Sequence, residues 1–445
     1  MIRRGVAILK VIFLFYIFIL FSFIPPADGQ GNQSKSLAAL GGEAIQNYSY
    51  SESYNYEKID AHALAAPASA EQSVESLAAY LIEPAKNEQE KARAIFRWIC
   101  QNIDYDLGSY FAGRLSSTKS EDVLKSRSSV CAGYSDLFSA LAEEAGLEAV
   151  EIRGYGKGYS YRPGQRFAGP FNHAWNAVKV NGSWYLMDPT WGAGYLGRDG
   201  KYHRWFDDHY FMTPPDQFIF DHLPEEESWQ LLDRPLSQAQ FEDLVYVESD
   251  FFNLGLAAME RNGSISAGGE VNLSVYAPED VVMMAGLESD SEVFEDRTLC
   301  QRDGQNYEIL ARLPQAGSYA LRAYAKKKDD PGVYKSVMQY NINASSGVES
   351  GFPLTFGRFG EVGAHLYSPM ERSLQAGQSY HFKIKVPGAT EVAVVCGKEW
   401  TKLAGQGDLF EGNVTVAKGD AGIFANFGGD KWEGMVKYAK NIENP

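Results

Sequence analysis

The chain has 445 residues, 45% of them hydrophobic and 22% charged. That is ordinary globular composition, over a length that calls for roughly three domains rather than one core. The formal net charge of −16 argues against a nucleic-acid partner, because phosphate binding needs a basic face. Cys100, Cys131, Cys300 and Cys396 form no disulfide framework for an exported chain of this size. None lies in a CxxC pair, which argues against a thiolate zinc site.

Arg3 and Arg4 precede an apolar run over 6–24, interrupted only by Lys10, Tyr16 and Ser22. This pattern predicts a secretory signal ending near Ala27, and the run is also long enough to stay as a membrane anchor. Either outcome places the rest of the chain outside the cytoplasm, whether secreted, periplasmic or at the cell surface. Residues 28–58, which include QNYSYSESYNYEK, lack a periodic apolar face and read as a linker.

Folded sequence is expected from 59 onward, and residues 59–247 form one domain. Val74, Leu77, Ala78 and Leu81 share a face of a short helix that Pro84 ends, and Ala92, Ile95, Phe96, Ile99 and Ile103 share a face of a second. Cys100 falls in that second helix and reads as a small core residue. A third helix opens at Cys131 in SSVCAGYSDLFSALAEEAGL, with Leu137, Phe138, Leu141 and Ala145 as its buried stripe. Gly146 ends it, and Ser128 or Ser129 is the expected cap. A strand (EAVEIRGY), a Gly- and Tyr-rich loop over 156–170 and a hairpin follow. Residues 205–247 are expected to wrap the domain, and the 156–170 loop to border and gate its cleft.

Beyond Tyr246 short alternating segments separated by Gly, Pro and Asn turns predict β-sandwiches. AGGEVNLSVYAPEDV resembles AGQSYHFKIKVPGATEV, and one offset relates both Gly268 to Gly377 and Pro278 to Pro387. DGQNYEILARLPQAGSYALRAYA and QGDLFEGNVTVAKGDAGIFANFG continue the repeat. Two tandem modules are therefore expected, over 248–345 and 350–445.

Three residues carry chemistry. A thiol at a helix start faces unpaired N–H groups and the positive end of the helix dipole, both of which favour thiolate. The Cys131 N–H could also meet a developing oxyanion. Asn181-Gly182 is a two-residue hairpin signal that pairs Trp175 with Asp188 and His173 with Thr190. His173 and Asp188 then become diagonal neighbours on one face, about 7–8 Å apart at the backbone. Asp188 can hold the imidazole with its other nitrogen toward the thiol, so Cys131, His173 and Asp188 have the makings of nucleophile, base and orienter. Trp175 and Trp191 suit either a substrate groove or the core, and Tyr134, one turn past Cys131, suits either an oxyanion contact or packing. His222 reads as structural, and the spacing of His203 and His209 suits no helical metal pair.

SSVCAGYSDLF, GYGKGYSY, NHAWNAV, GSWYLMDPTWGAG and HLPEEESWQLL together resemble the transglutaminase-like superfamily, in its kyphoscoliosis peptidase-like branch. IDAHALAAP and EKARAIFRWICQNIDYD fit as well, so the likeness spans about 59–247. It implies an α+β, papain-like transglutaminase core, followed on weaker likeness by two immunoglobulin-like β-sandwich modules. It also implies a Cys131–His173–Asp188 triad and no organic cofactor. With no calcium-binding loop visible and Arg198-Asp199-Gly200 read as a turn, no metal is expected. The implied activity is acyl transfer on protein carboxamide or peptide bonds through a thioester: a peptidase, deamidase or protein crosslinker. The partner is then a protein or peptide. The rival readings are a catalytically inert scaffold or binding protein at the cell surface, and an adhesion module whose working part is the β-repeat.

Overall fold

The computed structural model describes residues 54–112, 117–197 and 199–439. The expected signal or anchor segment, most of the expected linker and Arg198 lie outside them. Among the described residues no helix is long and apolar enough to cross a membrane.

The linker's expected end at 58 needs correction. Helix α1 (Glu57–Leu64) begins inside it. Tyr54 donates its hydroxyl to Glu90, and the Tyr56 ring packs edge-on against Phe211 and under the Arg93 guanidinium. These tyrosines are docked by tertiary contacts that no local periodicity announces.

Helix α2 (Val74–Leu81) starts at Ser73 with a reciprocal capping box and buries Val74, Leu77, Ala78 and Leu81. Helix α3 (Glu88–Asn102) is capped by Asn87 and buries Ile95, Phe96, Ile99 and Cys100. Helix α4 (Cys131–Glu144) is the central one, and Gly146 follows it at φ +73°. Its N-cap is Val130, with no side-chain cap. Ser128 and Ser129 do not cap it, because they form a parallel ladder with Asp104 and Tyr105.

α4 lies on an antiparallel sheet whose order is β3-β2-β1-β4: β1 (Ala149–Gly156), β2 (His173–Val180), β3 (Ser183–Met187) and β4 (His222–Pro224). Ser135 donates to the Trp175 carbonyl (2.9 Å), and Asn176 Nδ2 donates back to the Ser135 carbonyl (3.0 Å). These bonds lock the helix over the histidine end of the hairpin. Asn181 (φ +50°) and Gly182 (φ +83°) make the turn, and Asn176 pairs with Met187, which is the register that turn predicts. Met187 closes the strand; Asp188 then caps the short helix α5 (Pro189–Ala193).

Two β-sandwiches follow. In the first, Glu270–Tyr276 pairs with Asn306–Arg312 in one sheet, and Val281–Glu288 pairs with Gly317–Lys327, which pairs with Lys335–Ala344, in the other. The second repeats this wiring: Ser379–Lys385 with Leu409–Thr415, and Glu391–Cys396 with Ala421–Asn426, then Trp432–Lys437. Residues 241–247 pack into the first sandwich: Phe241, Val245 and Val247 join its core, and Tyr246–Val247 adds a strand beside Lys335–Ala344. All four cysteines are free thiols.

Candidate active site

His173 begins β2 and pairs with Gly154 of β1, while Gly156 of β1 pairs with His222 of β4. The glycine at 156 matters here. A Cβ there would sit 3.0 Å from the His173 Cβ and 3.1 Å from its ring. Without a side chain on β1 between them, the rings of His173 and His222 come to 5.3 Å between centroids.

Asp188 sits between the two rings, wholly buried. Its Oδ1 accepts the backbone N–H groups of Thr190 (2.7 Å) and Trp191 (3.1 Å), capping α5. Its Oδ2 meets His173 Nε2 at 2.6 Å and His222 Nε2 at 3.1 Å. His222 Nδ1 in turn meets Asp221 Oδ1 at 2.6 Å, and the Tyr210 hydroxyl donates to Asp221 Oδ2 at 3.1 Å. Burial disfavours both members of the His173–Asp188 pair in their charged forms. Their mutual attraction and hydrogen bond overcome it, raising the His173 pKa above its ordinary value and holding Asp188 well below the usual carboxylate range.

Because Asp188 occupies Nε2, the free nitrogen of His173 is Nδ1. Cys131 is half-buried at the first position of α4 and interacts with the His173 ring, whose cationic form it supports by hydrogen bond and charge. His173, Asp188 and His222 are thus brought together, with Cys131 on the His173 side. Trp191 is half-buried and stacks on His173 at 4.7 Å with 21° between planes, covering one face of the imidazole.

Two expected substrate contacts are buried instead. Tyr134 is fully buried and donates its hydroxyl to the Ile103 carbonyl (2.8 Å), so that hydroxyl is committed to the core. Trp175 is likewise in the core, 1% exposed. Sequence reasoning missed two residues. His222, read as structural, is hydrogen-bonded to Asp188. Tyr105 is held next to the start of α4 by its ladder with Ser129 and lines the cleft. Burial, and after it the charge of Cys131, pushes its hydroxyl pKa up. The glycine alternation in GYG was the available signal for a close approach across β1.

Ligand atoms of His173, Asp188 and His222 lie within 4.8 Å of one another, close enough to ask whether they hold a metal. Tetrahedral zinc at about 2.0–2.1 Å from each ligand would set ligand atoms ~3.3 Å apart. The 2.6 Å and 3.1 Å separations on a single carboxylate oxygen are those of hydrogen bonds.

The site opens on a cleft of about 1520 Å³. One wall is the 156–164 stretch with Trp191 and Tyr195, and the other is the first sandwich, through Arg322, Lys335, Gln339, Asn341 and Asn343. The loop borders the cleft as expected and is pinned there. The buried Lys157 ammonium donates to the Phe241 carbonyl (2.8 Å), and Asn341 Nδ2 donates to the Pro163 carbonyl.

A papain-like core with this histidine–aspartate arrangement defines a class, and comparison with known proteins agrees. Residues 75–189 match the family model described as transglutaminase-like superfamily, and residues 238–355 match the KY-like, immunoglobulin-like domain. The chain thus carries a transglutaminase-like domain followed by a KY-like, immunoglobulin-like domain, and its relatives include kyphoscoliosis peptidase. It is 32% identical to human kyphoscoliosis peptidase over 293 residues, 65% of this chain and 43% of that protein. It is 29% identical to Hillarin of Drosophila melanogaster over 66% of this chain and 40% of that one. It is 33% identical to Lim and transglutaminase domain protein ltd-1 of Caenorhabditis elegans over 44% of this chain and 29% of that one. The aligned part thus amounts to less than half the length of each of these relatives.

Proposed function

We propose that this chain is an exported, cysteine-dependent acyl-transfer enzyme acting on protein carboxamide or peptide bonds. The observation that carries the reading is the His173 ring: Asp188 holds Nε2 at 2.6 Å, leaving Nδ1 for the thiol that opens α4. In this reading His173 takes the Cys131 proton, and the thiolate attacks the substrate carbonyl. The tetrahedral intermediate collapses to a thioester as His173 returns the proton to the departing amine or ammonia. Water then gives hydrolysis or deamidation, and a primary amine gives crosslinking. The name of the human relative makes peptide hydrolysis the first outcome to test.

Intact-mass analysis separates these fates. After incubation with a glutamine-containing peptide, with and without a primary amine, a gain of about one dalton means deamidation, an amine adduct means transfer, and fragments mean proteolysis. An unchanged peptide, with Cys131 alkylated no faster than an unfolded thiol, favours the inert scaffold. Export rests on the apolar 6–24 segment behind Arg3 and Arg4. Fractionation of expressing cells with N-terminal sequencing tests it; an uncleaved chain in the cytosol refutes it.

A further inference from the structure

We propose that His222 is a positioning residue of this site: an imidazolium that donates from both ring nitrogens, Nε2 to Asp188 and Nδ1 to Asp221, and so holds the Asp188 carboxylate ionised and aimed at His173. The role in catalysis rests on the acyl-transfer reading above; the charge state does not.

The argument is one of donors and acceptors. Each nitrogen of His222 faces a carboxylate oxygen, at 3.1 Å and 2.6 Å, and the ring is 1% exposed. A neutral imidazole has one N–H and would press a lone pair against an anion at the other contact, with no solvent to relieve it. Placing the missing proton on Asp188 is disfavoured by its other contacts, since Oδ1 accepts two backbone N–H groups and Oδ2 pairs with His173 at 2.6 Å, both of which suit the carboxylate. The competing arrangement is a protonated Asp221 donating to Nδ1. The Tyr210 bond to Asp221 Oδ2 fits either form, but the Asp221 side chain reaches solvent where that of His222 does not, and solvent favours the ionised carboxylate. The surroundings also favour a cation. Phe218 stacks on His222 at 3.9 Å, and Trp191 and Trp175 lie at 4.3 Å and 4.9 Å between centroids.

The charged and titratable groups facing His222 are Asp188 before α5, Asp221 beside it, His173 on β2, and His209 and Tyr210 on the preceding turn. His222 therefore does two opposed things. It fixes the acceptor that orients His173, and it places a positive charge beside that ring, which eases proton return to a leaving group.

The test uses the full chain with histidine nitrogens labelled. NMR counts the ring protons of His222, one of seven histidines, assigned by the signals lost in His222→Gln. Both nitrogens of the ring should carry a proton, as two carboxylate partners require. In His222→Gln a neutral donor replaces a cation. Both limbs of the pH profile for Cys131 alkylation should then move up by about two units, the effect of removing a charge roughly 5 Å away at an effective dielectric near 20. A role in packing alone would lower the rate without moving the limbs. A single ring proton on His222, or limbs that stay in place, overturns the proposal. Should the variant not fold, contacts to the Phe218 ring assign the wild-type signals and the proton count decides. If wild-type Cys131 shows no activated alkylation, the acyl-transfer reading falls, while the proton count still judges His222.

Discussion

Asp188→Asn gives the sharpest test of the site. The carboxylate accepts on both oxygens, two N–H groups at the start of α5 on one side and two imidazoles on the other. Asparagine offers one oxygen and one NH₂. If the oxygen faces α5, the cap survives, worth about 1 kcal/mol, but the NH₂ then confronts both rings. His173 must accept at Nε2 and so carry its proton on Nδ1, the nitrogen needed by the thiol. If the amide turns over, its NH₂ meets the N–H groups of Thr190 and Trp191 instead. Either way hydrogen bonds to a charged group are lost, each worth about 1.5–3 kcal/mol, and desolvation of the buried carboxylate is relieved in part. A net destabilisation of about 2–4 kcal/mol is expected, readable by urea denaturation. Turnover should fall by about 10⁴, the size of the effect when the orienting carboxylate of a serine protease triad becomes an amide. Alkylation of Cys131 near neutral pH should fall with it. A folded Asp188→Asn chain that alkylates and turns over like wild type would refute the role of Asp188 as orienter.

Tyr134→Phe should cost about 1 kcal/mol, a single hydrogen bond, since Arg204 still donates to the Ile103 carbonyl; Cys131 reactivity should not change, and a large loss of turnover would return Tyr134 to the site. Lys157→Met strands the Phe241 carbonyl and should destabilise by about 2–3 kcal/mol, with faster proteolysis in the 156–170 loop; equal melting and proteolysis would show that the anchor is idle. The ion pair also sets a stability window. The depressed Asp188 contributes above its unfolded pKa and is lost as pH falls through its folded value. The raised His173 contributes below its unfolded pKa and is lost as pH rises through its folded value. Stability should therefore be greatest between about pH 4 and 6.5, and Asp188→Asn should flatten both sides; a wild-type profile flat from acid to alkali would contradict the buried pair.

What was legible in the sequence was local or periodic. Ser73 and the apolar stripe behind it specify α2, and Asn181-Gly182 specifies a turn whose register holds as far as Asn176 and Met187; the expected pairing of Trp175 with Asp188 does not form, because Asp188 leaves the strand to cap α5. The repeat relating Gly268 to Gly377 marks strands that occupy equivalent places in the two sandwiches. What was not legible depended on distant segments. Ser128 and Ser129 have cap chemistry, yet their backbone is recruited by Asp104 and Tyr105, and that pairing delivers Tyr105 to the site. Tyr54 and Tyr56 look like linker because what orders them, Glu90, Arg93 and Phe211, lies elsewhere in the chain. His222 reaches Asp188 only because β4 adds to the edge of β1 across two glycines, a closure that no periodicity encodes.

The same distant closure joins the first sandwich to the site. Lys335–Ala344 is paired at Met338 and Gln339 by Tyr246–Val247, which leads directly out of the segment whose Phe241 carbonyl holds Lys157. Lys157 neighbours Gly156, the residue that lets the two histidine rings meet. On its other side the loop is held at Pro163 by Asn341, a residue of that same sandwich strand. The loop over the cleft is therefore fastened at both ends to structure that depends on the sandwich, and the cleft's far wall is the sandwich itself. Loosening the sandwich strand would release the loop before it disturbed α4, whose bonds to β2 run through Ser135 and Asn176 and involve no residue of the sandwich. The shape of the cleft and the chemistry at its base thus rest on different contacts: the shape on the sandwich, the chemistry on the hairpin.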